Sequence, residues 1–83
     1  MTLNVADVTA RIARSIHKAR KECGLSQDEL GDSMQPPQRR NEISAWENGR
    51  RRPSEEHLLQ LADILGRDIS WFYIDHNGEP VAA

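Results

Sequence analysis

The sequence predicts an all-α fold, a compact bundle of five short helices. Three features predict it. Apolar residues recur at three- and four-residue steps along most of the chain, the period of a helix that buries one face. Cap and stop residues punctuate those runs at helix-length intervals. No segment alternates polar and apolar side chains with the period of two that marks a strand. A chain of 83 residues, 37% hydrophobic and 29% charged, suits one small soluble domain.

The elements follow in order. Val5, Val8, Ile12, Ile16, Ala19 and Cys23 line one face of a first helix over residues 5–23. Asn4 is its N-cap, with Asp7 three residues on, and Gly24 is its stop. Ser26 caps a second helix, Glu29 completes a capping box, and Leu25 can staple onto Leu30. Pro36 and Pro37 end that helix soon after Met34. A third helix covers Arg39 to Glu47 and stops at Asn48-Gly49. Ser54 caps a fourth, with Glu55 and Glu56 in the first turn, where carboxylates favour the helix dipole. Its buried face is Leu58, Leu59, Leu61, Ala62 and Leu65, and Gly66 ends it. Asp68 caps a last short helix that turns Ile69, Phe72 and Tyr73 inward and leaves Trp71 partly outward. The domain is expected to span residues 1–74, and residues 75–83 to form an irregular, frayed tail.

Several function classes drop out. No apolar run approaches the roughly 20 residues needed to cross a bilayer. The first residues lack the basic and apolar regions of a secretory signal. The single Cys23 can form neither an internal disulfide nor a zinc site, which fits a cytoplasmic protein, and on the buried stripe it is an inert small hydrophobe. His17, His57 and His76 lack partners at metal-ligand spacing and read as surface histidines. Glu55 and Glu56 belong to a helix cap, and no nucleophile motif or glycine-rich phosphate loop is present. No enzyme, cofactor or metal is implied.

The net charge of −2 hides a split. Residues 1–52 carry ten Lys or Arg against seven acids, while residues 53–83 carry Arg67 alone against six. A polyanion needs a local positive face rather than a positive total. That face can be a helix-turn-helix: two short helices, a turn between them, and a basic loop after the second. On the Arg39–Glu47 helix, steps of 100° place Ile43 and Trp46 together on one side. Asn41, Ser44, Ala45 and Asn48 fall opposite, with Arg40 flanking them near the helix start. Such a helix hides two large apolar groups and offers a major groove a polar strip. Arginine suits guanine there and asparagine suits adenine.

The run Leu25-Ser26-Gln27-Asp28-Glu29-Leu30, then Ile43-Ser44-Ala45-Trp46-Glu47-Asn48-Gly49-Arg50, then Arg52-Pro53-Ser54 and Leu58 through Gly66, resembles the lambda-repressor-like (Cro/Xre-type) DNA-binding domain. The resemblance covers about Arg11 to Ile74. It implies that Gln27, with Ser26 beside it, touches a DNA phosphate, and that Arg40, Asn41 and then Ser44 and Ala45 face the bases. It implies phosphate contacts at Asn48 and Arg50, with Arg39, Arg51 and Arg52 as helpers, and a structural ion pair between Arg20 and Glu47. One departure stands out. The stretch from Leu25 to Ile43 is two residues longer than usual, around Gln35-Pro36-Pro37-Gln38, so Arg39 and Gln38 are alternatives for the positions given to Arg40 and Arg39.

The expected function is therefore sequence-specific double-stranded DNA binding by a bacterial or phage transcriptional regulator, most simply a repressor acting without an effector module. The competing reading is an antitoxin that docks a protein partner on its acidic half and regulates its own gene through the same fold. Trp71, Phe72 and Tyr73 are dimerisation candidates, because consecutive helical residues cannot all be buried in one domain. A homodimer would place two reading helices about 34 Å apart and favour a palindromic operator.

Overall fold

The computed structural model describes residues 4–80, and the ends of the expected domain and tail, residues 1–3 and 81–83, lie outside the described residues. The described residues form four α-helices and one 3₁₀ helix: α1 (Val5–Glu22), α2 (Gln27–Asp32), α3 (Arg40–Glu47), α4 (Glu55–Leu65) and a 3₁₀ segment, Ile69–Tyr73. The fifth element is thus not an α-helix. Five residues give too few i→i−4 bonds to offset nucleation, and i→i+3 closure suffices to place one side chain. That side chain is Phe72, fully buried, with its carbonyl accepting a hydrogen bond from the Ser15 hydroxyl of α1 at 3.1 Å.

Local chemistry sets the helix starts. Asn4 and Asp7 form a reciprocal capping box on α1, and Ser26 and Glu29 form another on α2. The Ser54 side chain accepts from the His57 amide to begin α4. α2 ends at Asp32, two residues earlier than Met34, which lies in the following turn and is wholly buried. α3 starts at Arg40, with Arg39 as an N-cap whose side chain makes no cap bond. Gly66 ends α4 in the left-handed region at φ 67°.

The core gathers Ile12, Ile16 and Ala19 of α1, Leu30 and Met34, Ile43 and Trp46 of α3, Leu58, Leu61 and Leu65 of α4, and Phe72. Three expected members are outside it. Val5, in the first turn of α1, is 73% exposed. Cys23 is the exposed C-cap of α1. Leu59 is 52% exposed, since it lies one residue off the stripe shared by Leu58, Leu61 and Leu65.

The long turn between α2 and α3 contains a cis Gln35–Pro36 bond and is fastened at both ends. The Gln60 side chain of α4 bonds the Gln35 backbone twice, accepting from its amide and donating to its carbonyl, both at 2.9 Å. The Gln38 amide donates to the Gly31 carbonyl at 2.9 Å. That approach is so close that a Cβ on Gly31 would lie 2.1 Å from the Gln38 oxygen.

The tail is not frayed over the described residues. His76 is buried, not a surface histidine; its ring stacks on Trp71 at 4.1 Å and lies 3.0 Å from the Trp71 carbonyl and 3.1 Å from Glu79. Asp75 accepts from the Asn77 amide and pairs with Arg14, while Lys18 reaches the Pro80 carbonyl. A basic face on α1 and an acidic tail supply this attachment, which no local pattern announces. No helix among the described residues is long and apolar enough to cross a membrane.

Candidate nucleic-acid interface

α2 and α3 pack against each other, with α1 behind α3. Ile43 and Trp46 anchor α3 in the core, and Trp46 also meets the His57 ring at 5.1 Å. The opposite side of α3 is accessible: Arg40 and Asn41 are exposed, and Ser44 and Ala45 are half-buried. Past its end, Gly49 takes φ 71°, and the Arg50 and Arg51 amides fold back onto the Ala45 carbonyl at 3.0 and 3.3 Å. The buried Pro53 closes the loop before α4.

Glu47 organises the inner edge of this surface. Its carboxylate, nearly sealed from solvent, receives Arg20 Nε at 2.6 Å and Nη2 at 3.0 Å, a bidentate ion pair. His17 Nδ1 lies 2.9 Å from Oε1 of this carboxylate. Gln27 Nε2 donates to the same oxygen at 3.3 Å. Burial pushes the Glu47 pKa up, but the bonds from Arg20, His17 and Gln27 outweigh it and hold the carboxyl below its ordinary range. Arg20 also donates to the Leu25 carbonyl at 2.8 Å, tying the α1–α2 corner to α3.

The candidate contact residues divide by their present partners. Arg40 is ion-paired with Asp28 of α2, and this contact holds the Asp28 carboxyl below its ordinary pKa. Arg51 pairs with Glu42 at 2.9 Å. The Asn48 amide donates to the Ser44 carbonyl and hydroxyl at 2.8 and 3.1 Å, joining two of the expected contacts. Ser26 is committed to its cap, and Gln27 to Glu47. Arg39, Asn41, Arg50 and Arg52 are exposed and make no side-chain hydrogen bond or ion pair among the described residues. Three unneutralised guanidinium groups therefore flank the two ends of a polar helix face, Arg39 before α3 and Arg50 and Arg52 after it.

A helix-turn-helix family model matches residues 16–72, well over half of the chain. The chain belongs to the Cro/Xre-type helix-turn-helix family. No curated protein matches it. The fold of this helix-turn-helix domain is that of a DNA-binding transcription regulator, which makes double-stranded DNA its ligand class.

In this helix-turn-helix chain the aromatic trio departs from expectation at Tyr73, which is not inward, and at Phe72 as a dimerisation candidate. Phe72 is core and unavailable to a partner. Trp71 is half-buried between His76 and the Arg67 guanidinium, 5.1 Å from its ring. Tyr73, expected inward, is 39% exposed beside Ile74 at 50%. Two contacts lie outside the sequence expectations, that of His17 with Glu47 and that of Gln60 with the Gln35 backbone. His17 stands three residues before Arg20, one turn away on the same helix face, a spacing that could have joined it to Glu47. Gln60 gave no signal, because its partner is backbone 25 residues away.

Proposed function

We propose that this protein is a sequence-specific regulator of transcription that lays α3 into the DNA major groove. The observation that carries this reading is the two-sidedness of α3. Ile43 and Trp46 fix it to the core, while Asn41, Ser44 and Ala45 face outward between the unpaired Arg39, Arg50 and Arg52. A groove admits one helix, base edges are read by polar side chains, and flanking cations grip phosphates. On this reading Arg40 must exchange Asp28 for a base. Both side chains are more than half exposed, so the exchange costs little.

Repression is the simplest consequence, since a domain that covers its operator blocks other proteins from it. Selection from a random duplex pool at about physiological salt is the test. An enriched motif whose bases change in the Asn41→Ala variant supports α3 as the reader. Binding that is equally tight on every sequence would refute sequence-specific reading.

A further inference from the structure

We infer that Arg14 of α1, outside the helix-turn-helix, is an additional DNA-phosphate ligand, and that Asp75 of the tail competes with DNA for it. This rests on the DNA reading above. Arg14 borders two clefts that meet at Asn48. One lies between α1, Gly49, Arg50 and Arg52, and the other between α1, Asn48 and the folded-back tail. The guanidinium thus extends the cationic edge of Arg50 and Arg52 onto α1, so charge complementarity and continuity both point to the sugar-phosphate backbone as its occupant.

Its present partner is suited to exchange. The Arg14–Asp75 contact is 3.5 Å long, and both side chains are nearly half exposed, the setting in which ion pairs contribute little. Asp75 is itself fixed in place. The Asn77 amide donates to it at 2.9 Å and is the main cause of a carboxyl held below its ordinary pKa, with Arg11 and Arg14 adding to the effect. Arg11 is engaged differently, donating to the Tyr73 carbonyl at 3.3 Å. Tail and phosphate are therefore two anions for one guanidinium. A fixed tail carboxylate lowers the affinity for every DNA sequence without altering which sequence is preferred.

The test is a set of salt titrations of duplex binding by wild type, Arg14→Ala, Asp75→Asn and the double variant. Asparagine keeps an oxygen for the Asn77 amide, and thermal melts confirm that each variant is folded. Arg14→Ala should reduce the salt slope by roughly one ion and weaken binding to all sequences alike. Asp75→Asn should tighten binding by about two- to fivefold, and this gain should vanish when Arg14 is already alanine. A gain that persists in the double variant would overturn the competition and indicate only a general reduction in negative charge. An unchanged slope in Arg14→Ala, with Arg50→Ala still reducing it, would overturn the Arg14 contact and leave the DNA reading standing. Wild type that does not bind duplex DNA would overturn that reading, and this inference with it.

Discussion

At Glu47 four side chains from three helices are decided by one carboxylate. Arg20 is nearly as buried as its partner, so neither charge can return to water if the other is removed. Glu47→Gln keeps the shape but strands the guanidinium, and is expected to cost about 3–5 kcal/mol, read as a lower urea midpoint. The pH dependence has a fixed sign. A carboxyl whose pKa is depressed in the folded state stabilises fully above its unfolded value, about 4.3, and loses that contribution as pH falls through the folded value. Wild type should therefore lose more stability than Glu47→Gln between pH 7 and pH 3. A second residue-scale outcome concerns Gly31. At a free helical site alanine would gain about 1 kcal/mol over glycine. Here its methyl would meet the backbone oxygen of Gln38 at 2.1 Å, and overpacking of that kind costs about 1–3 kcal/mol. Gly31→Ala should lower the melting temperature, and a rise would show that the turn yields freely.

Among the elements, the parts legible in the sequence are those whose cause is local. The capping boxes at Asn4–Asp7 and Ser26–Glu29, and the glycine end of α4, are written within a few residues. The two faces of α3 follow from its period alone. The turn from Gln35 to Gln38 was readable as long and proline-stiffened, but not as fastened, because its anchors are a distant Gln60 and the bare backbone at Gly31. The fifth element was readable in place but not in type, since docking one residue, Phe72, decided its geometry. The same local–distant division separates reading from gripping on α3 and its loop. In the proposed reading the exposed Asn41 lies on the strip that faces the groove, whereas Arg50, beyond the helix, would meet the DNA backbone. Asn41→Ala should cost about 1–3 kcal/mol on the selected site and relax one or two positions. Arg50→Ala should weaken all sequences alike and lower the salt slope by roughly one. A changed base preference in Arg50→Ala would reverse those roles.

For the whole molecule, size and charge bear on how two copies would meet on a palindromic site. The split between a basic first half and an acidic second half was visible from the start. That the acidic tail folds onto α1 was not, because Arg14 and Asp75 are brought together only by the completed bundle. The domain measures 38 × 27 × 20 Å. Reading helices one turn of DNA apart lie about 34 Å from each other, so two such domains on successive grooves of one face come within touching distance. Exposed apolar side chains suited to that meeting are Tyr73 and Ile74, rather than Trp71, which His76 covers. Replacing both by serine should leave affinity for a single half-site unchanged, since neither side chain is among the proposed DNA contacts. Binding to a palindrome of two half-sites should instead lose its cooperativity, seen as independent filling of the halves in a titration. Cooperativity that survives the double replacement would place the contact elsewhere on the domain, and its absence in wild type would mean that each copy reads its half-site alone.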